Sequence, residues 1–323
     1  MLTVYEIENG SLVHHEGIEH LGANNVWIDM LHPTPEEDAA VEQLLGLSIP
    51  TRAEMREIEA SNRLYVERGA HVMTAILTHS SESGTPQFSA VTFILAGNVL
   101  VTLRYIELKA LPIYLQQVSK GDAECATSVQ ILIGLMEGLI HRMADLIERL
   151  QDEVNRIGGA AFEIKGGQQT RTRRLDVMLK SIGRLGETAS RAEESVTSLE
   201  RLLLFLTQAM KQRKDQSRDV QRVKSVHRDI RSLTEQLHFL SDRLTFLLDA
   251  VLGMIANEQN QIIKLFSVMA VMLMPPTLVA SIYGMNFKHM PELDWFMGYP
   301  FALVLMVVAA LIPFIYFRRK GWL

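Results

Sequence analysis

The oxygen donors that could handle a cation cluster near the C-terminal end of this chain, and none of them is charged. No Asp or Glu lies between Glu258 and Glu292. Within that interval Asn260, Ile263, Ser267, Ala270, Met274, Thr277 and Ser281 follow helical spacing, so one helix face is small, polar or flexible apart from Ile263. Small residues on a membrane helix also serve close packing, and the stripe alone fits both uses. Tyr283-Gly284-Met285-Asn286 follows. Gly284 is expected to stop the helix in the left-handed region. The terminal carbonyls there carry partial negative charge, which favours cations. Asn286 adds a neutral amide carbonyl. Several copies around one axis would form an oxygen ring that accepts hydrogen bonds from the water shell of a cation that dehydrates reluctantly. Without a carboxylate to trap a bare ion, such a ring binds weakly enough to release it.

These donors lie in a segment built to cross a bilayer. Leu265 to Phe287 and Trp295 to Phe317 are each free of formal charge for 23 residues, against about 20 needed for a helical span. Lys264 precedes the first run, and Arg318-Arg319-Lys320 follow the second. The connector Lys288-His289-Met290-Pro291-Glu292-Leu293-Asp294 carries one Lys against two acids. The excess of basic residues places both termini in the cytoplasm and the connector outside. Trp295 and Trp322 suit the two interfaces. Pro275-Pro276 should bend the first span or loosen its hydrogen bonds.

The remainder must position that hairpin. The net charge is −5, which points away from nucleic acid. Of 37 acids and 32 bases, two and five fall in residues 262–323, leaving 35 against 27 before them, a soluble part near −8. Residues 1–125 are expected to form an α/β domain. Asn25–Asp29 is a strand, Leu64–Val66 and Val72–Leu77 a hairpin about Gly69, and Phe88–Leu95 and Val99–Arg104 a second about Ala96-Gly97-Asn98. Thr34-Pro35-Glu36-Glu37 forms a capping box. Residues 126–261 are expected to be a helical arm and stalk. One helix covers about Ala126–Ile157, and the pairs Gly158-Gly159 and Gly166-Gly167 mark a turn. Ile230, Leu233, Leu237, Leu240, Leu244, Leu247, Val251 and Met254 form a heptad seam. No proline or glycine-rich break separates the seam from the first span, so a single helix of roughly 100 Å could run from about Asp219 to Tyr283. Its seam needs neighbouring helices or other copies of the chain.

The motifs together resemble the CorA family of magnesium and cobalt channels. The match rests on Gly284-Met285-Asn286, Met290-Pro291-Glu292-Leu293, Pro275-Pro276-Thr277-Leu278-Val279-Ala280 and the terminal Arg319-Lys320-Gly321-Trp322-Leu323. The resemblance implies an α+β cytoplasmic domain (an α/β/α sandwich), a very long stalk helix and a two-helix transmembrane hairpin over 262–323 with outer loop 287–295. It also implies a funnel-shaped homopentamer in the inner membrane. Gly284, Met285 and Asn286 would be the selectivity filter, with Asn286 holding the metal through its hydration water. Asn260, Phe266, Met274 and Thr277 would line the pore, Phe266 standing where other members carry a smaller aliphatic residue. Lys264, Arg318, Arg319 and Lys320 would form a basic collar, a role their topology signal equally explains. Asp229, Asp242 and Asp249 are candidate ligands for regulatory Mg²⁺, which would then be both substrate and regulator. Ser225 lies where some members have a sensing Asp.

The expected activity is uptake of Mg²⁺, with Co²⁺ and Ni²⁺, driven by membrane potential and gated by cytoplasmic Mg²⁺. Two charges crossing 100 mV gain about 4.6 kcal/mol. Zinc or another transition metal as cargo is the nearest alternative, and a non-conducting membrane-anchored scaffold or sensor a more distant one. The expected partners are the bilayer, divalent cations and further copies of the chain. No Walker loop, nucleophile elbow or zinc signature is present, so neither an enzyme nor an organic cofactor is expected. His14-His15 in an N-terminal loop forms no ligand set. Cys125 is expected to be a buried, inert thiol, and the sixteen methionines to fill apolar helical runs.

Overall fold

The computed structural model describes residues 1–8, 11–57, 59–80, 86–162, 168–213, 217–286, 290–291 and 295–322. It contains two compact units, Met1–Ala160 with Lys180–Phe246, and Ala161–Leu179 with Leu247–Leu323. The turn expected at Gly166-Gly167 and most of the outer loop, including Lys288, Glu292, Leu293 and Asp294, lie outside the described residues, as does Leu323.

The first unit is built on a seven-stranded sheet in the order β2-β1-β3-β7-β6-β5-β4. Its strands are β1 Leu2–Glu8, β2 Ser11–Glu16, β3 Trp27–Leu31, β4 Leu64–Glu67, β5 Ala70–Ser80, β6 Pro86–Ala96 and β7 Val99–Arg104. Only β3 and β7 pair in parallel, Asp29 beside Thr102. Both expected hairpins form. Arg68 and Gly69 have φ of 49° and 86°, the two left-handed residues that a tight turn of matching twist requires. The N-terminal β1–β2 hairpin was not expected. His14 and His15 lie in β2, not in a loop, paired with Tyr5 and Val4. His15 stacks on His20 at 4.9 Å.

Helix α1, Pro35–Leu45, starts with the expected capping box. The Glu37 N–H donates to Thr34 Oγ1 at 3.3 Å, and the Thr34 N–H donates to the Glu37 carboxylate at 2.9 Å. Val41 of α1 joins Leu2, Val4, Ile28, Met30, Val72, Ile94 and Val101 in the core on one sheet face. A buried polar chain crosses the β3–β7 pair. Trp27 Nε1 donates to Thr102 Oγ1 at 3.1 Å, Thr102 donates to Asp29, and Asp29 meets Arg104 at 2.7 Å with both side chains nearly excluded from solvent. A buried carboxylate is tolerable only with such partners.

Four helices complete the scaffold: α3 Ala110–Ser119, α4 Ser128–Phe162, α5 Gln168–Arg213 and α6 Ser217–Tyr283, with the short α2 at Ala60–Arg63. A Cβ at Gly134 of α4 would stand 2.2 Å from the Tyr114 ring, so glycine there is what lets α3 and α4 close up. Gly158 and Gly159 do not form the expected turn, because α4 continues through them to Phe162. Glycine costs only about 1 kcal/mol within a helix. Helix α5 covers a free stretch of β5. The Ile76 N–H donates to Ser198 Oγ at 2.9 Å, and Ser195 Oγ donates to the Ile76 carbonyl at 2.6 Å. The two serines thereby satisfy an edge that would otherwise invite pairing. Arg222 of α6 bridges Glu137 of α4 at 2.9 Å and Glu124 at 3.2 Å.

The heptad seam finds its partners inside one chain. Ile230, Leu233, Leu237, Leu240 and Leu244 are buried, beside buried rows on α4 (Met143, Ile147, Leu150) and α5 (Ala189, Val196, Leu199). Replacing Asp29 by Asn should leave Arg104 buried without its counter-charge and destabilise the first unit by about 3–5 kcal/mol. Urea unfolding followed by Trp27 fluorescence should show that loss. The Asp29→Asn/Arg104→Gln pair should cost less than the two single changes summed.

Candidate cation site at the end of the long helix

The seam does not stop where the second unit begins. Leu247 and Val251 are buried and Met254 is half-buried, and the same spacing brings Glu258 to that face, with its side chain only 8% exposed. The Glu258 carboxylate accepts from Thr172 Oγ1 at 2.8 Å and lies 3.3 Å from Arg171 Nε. The first turns of α5 are thus bonded to α6 two residues before Asn260. Glu258 was not among the expected site residues. Its signal was present in the continuing spacing, which places an acid where the seam predicts an apolar residue.

Beyond Lys264 the helix changes character. From Leu265 to Tyr283 only Val268 is buried, while Met272, Pro275, Pro276, Val279 and Tyr283 are half-buried. At about 100° per residue these six fall on one side. Ser267, Met274, Thr277 and Ser281 fall on the opposite side and are exposed, as are Asn260 and Phe266. Met274 is 74% exposed and Phe266 63%, so among the described residues nothing covers the polar stripe. The second candidate span, α7 Gly298–Arg319, is likewise largely exposed, with Gly298 and Ala302 buried.

Pro275 and Pro276 bring no N–H, so the carbonyls of Val271 and Met272 lose their helical donors. The helix nevertheless continues to Tyr283. Thr277 Oγ1 donates to the Leu273 carbonyl at 2.7 Å. With its proton engaged, the hydroxyl presents only lone pairs to whatever faces the stripe.

The helix end differs from expectation. Gly284 is not left-handed: among the described residues the glycines with positive φ are Gly17, Gly46, Gly69, Gly97, Gly121 and Gly321. Gly284 N–H instead donates to the Ala280 carbonyl at 3.0 Å, and Met285 N–H donates to Ile282 at 3.3 Å, a tightened last turn. A Cβ at 284 would lie 3.2 Å from the Ala280 oxygen, so glycine leaves that carbonyl uncrowded. Met285 and Asn286 are exposed just past the end.

The left-handed stop occurs on α7 instead. Gly321 has φ +69°, its N–H donates to Arg318, and Trp322 N–H donates to Phe317 at 3.1 Å while the two rings stack at 5.4 Å. This double closure with its apolar clasp fixes the chain around Arg318, Arg319 and Lys320. All three are exposed, as is Lys264.

Asp229, Asp242 and Asp249 are exposed on α6. Asp242 and Asp249 share a helix face two turns apart, whereas Asp229 points elsewhere. Among the described residues no three His, Cys, Asp or Glu side chains come together as a metal group. Phe239 and Phe246, 61% and 60% exposed, interleave with Asp242 and Asp249 on the face opposite the seam. This second seven-residue spacing runs alongside the stronger apolar one of the seam. Cys125 is buried, and burial pushes its thiol pKa up, so it stays protonated and inert.

Comparison with known proteins gives a consistent result. Residues 22–319 match the family described as CorA-like Mg²⁺ transporter protein. The magnesium transport protein CorA of Escherichia coli strain K12 is 34% identical over 325 residues, covering 100% of both chains. The complete structure of the CorA magnesium transporter from Methanocaldococcus jannaschii superposes with a TM-score of 0.77 at 19% identity, covering 100% of this chain and 99% of that one. The ZntB cytoplasmic domain from Vibrio parahaemolyticus superposes at 0.59 with 10% identity over 80% of this chain. At such identities the structural likenesses speak to fold.

If the stripe faces water in the assembled protein, cysteines introduced at Met274, Thr277 and Ser281 should react with a small charged thiol reagent. Cysteines at Val268 and Val279 should react at least about tenfold more slowly. Equal rates on both faces would place the stripe against lipid or protein.

Proposed function

This chain belongs to the CorA-like Mg²⁺ transporter family, and on that premise we propose that it carries Mg²⁺ across the bacterial inner membrane through a pore lined by copies of α6. The observation that carries the reading is the uncharged oxygen stripe, exposed along a membrane-length helix and ending at Asn286. Membrane-buried polar groups are costly unless they face a partner or water. A single pair of spans offers the stripe neither. A ring of copies, five as in the family, would turn Asn260, Thr277 and Asn286 toward a shared axis, with Phe266 and Met274 as apolar constrictions.

The chemistry of such a pore follows from its donors. Asn286 amide oxygens, with the last-turn carbonyls behind Gly284, would accept hydrogen bonds from the ion's first water shell. The Thr277 hydroxyl, its own proton committed to Leu273, would do the same deeper in the span. Nothing in the described span competes with the shell by direct charge, so a hydrated ion can enter and leave. Co²⁺ and Ni²⁺ share that hydrated, octahedral form and are proposed as secondary cargo. The membrane potential suffices as driving force. Both termini would be cytoplasmic, since Lys264 and Arg318–Lys320 gather at one end of the hairpin.

Assembly and gating are proposed from the outer face of α6. The exposed Phe239 and Phe246 supply apolar area for packing between copies, and Asp242 and Asp249 between them bring carboxylates into the same contact. Crowded acids repel, and Mg²⁺ bound between copies would relieve that repulsion and hold the closed state. Asp229, on another face, is the weakest of the three candidates.

Asn286→Ala should leave expression and oligomer mass unchanged while Mg²⁺ flux into proteoliposomes falls by at least about tenfold. Normal flux through Asn286→Ala would remove the filter assignment, and zinc flux exceeding Mg²⁺ flux would change the cargo. For gating, saturating Mg²⁺ at a hundredfold excess over Kd should stabilise the assembled protein by about 2.7 kcal/mol. A rise in thermal midpoint that disappears in Asp242→Asn/Asp249→Asn is expected. An undiminished rise would assign regulation to other residues.

A further inference from the structure

The acidic first unit contains a concentrated patch of positive charge that no part of the transport reading uses. Arg52, Arg56, Arg63 and Arg191 line a single cavity of about 260 Å³, with Tyr105 at its wall and Glu194 the only acid in the lining. The segment carrying Arg52 and Arg56 is held in place locally. Thr51 donates through its N–H and hydroxyl to the Glu54 carboxylate at 2.8 and 2.9 Å, and Met55 is buried beneath. Glu54 is thereby committed to its own turn. The Arg52 guanidinium lies 5.0 Å from the centre of the Tyr105 ring. Arg63 Nε donates to the Glu57 carbonyl, a neutral acceptor. Arg191 pairs with Glu187 at 3.1 Å in an exposed contact of small energetic value. Among the described residues, Arg52, Arg56 and Arg63 form no ion pair with a carboxylate.

Four guanidinium groups around one cavity repel unless an anion joins them. Each is a planar fork that matches phosphate oxygens two at a time. An adjoining cavity shares Arg63 and Glu194 and adds Arg201 and Glu193, so its charges balance and the positive lining is confined to the first cavity, where four arginines offer more donors than a single phosphate can engage. We propose that this arginine-lined cavity binds the di- or triphosphate group of a small phosphorylated anion. The shared chemistry is a chain of phosphates, supplied either as free polyphosphate or as a nucleotide.

The test uses the purified full-length protein in divalent-free buffer at fixed ionic strength, so that chelation of Mg²⁺ plays no part. Thermal shift and calorimetric titration are run with tripolyphosphate, ATP, AMP and sulfate. Saturable binding of tripolyphosphate and ATP, with AMP and sulfate at least about tenfold weaker, is expected. Equal affinity for the first two would identify the phosphate chain as the whole determinant, and tighter ATP a nucleotide. Losing one charged bidentate contact should raise Kd roughly ten- to a hundredfold, so Arg52→Gln and Arg56→Gln should each do so. Arg52→Lys should recover part of the loss, and Arg156→Gln, remote from the cavity, should change nothing. The proposal is overturned if tripolyphosphate shows no saturable binding, or if it binds the arginine variants as it binds the parent. It is equally overturned if those variants only reduce oligomer mass, which would make the arginines a contact between copies. Because binding is read without flux, its failure leaves the transport reading untouched.

Discussion

Helix α6 has more surface than its own chain can cover, and the rest of the structure follows from how its faces are divided. Ile230 through Val251 point inward and are buried in one chain. That burial spends the strongest apolar pattern on folding rather than assembly. The opposite face is left with Phe239, Asp242, Phe246 and Asp249, then Asn260, and then the polar side of the span. A helix committed on one side and, among the described residues, uncovered on the other is what the proposed assembly of copies would draw on. The inward commitment also explains why α4 and α5 are long, since a seam of that length needs helices of comparable reach beside it.

Within the span, the same division sets the chemistry. Prolines 275 and 276 fall on the half-buried side, so the loosened backbone carbonyls lie near that side rather than along the stripe. Thr277, the next residue, turns its hydroxyl proton back onto the helix. Polar groups in lipid are expensive when their hydrogen-bonding capacity is unmet, and here the threonine hydroxyl keeps only its acceptor capacity. Such an acceptor suits a cation wrapped in water, whose outer hydrogens are donors.

Glu258 joins the two themes. It occupies a seam position, yet it is a carboxylate at the edge of the uncharged region, and it is bonded to Arg171 and Thr172 at the start of α5. Removing the charge from a buried partner is generally more costly than never burying the pair. The contact therefore joins the first turns of α5 to the helix that carries the stripe, at the level of Asn260.

Periodicity and punctuation alone determined much of this. The two uncharged runs, the heptad seam, the capping box at Thr34 and the hairpins at Gly69 and Gly97 are local patterns, and local patterns survive because their physics involves neighbours along the chain. The Gly284-Met285-Asn286 motif was legible for the same reason, although its glycine proved to tighten the last turn instead of reversing it. Gly158-Gly159 misled because a glycine pair signals a turn only when nothing else holds the helix, and buried neighbours such as Val154, Ile157 and Ala161 do hold it. Tertiary structure alone decided that the seam is satisfied within one chain, that Glu258 is buried against Arg171, that Ser195 and Ser198 seal the β5 edge, and that Arg191 joins Arg52, Arg56 and Arg63 at one cavity. Each depends on residues tens to more than a hundred positions apart, and the free energy of such contacts is set by packing geometry that no local spacing encodes.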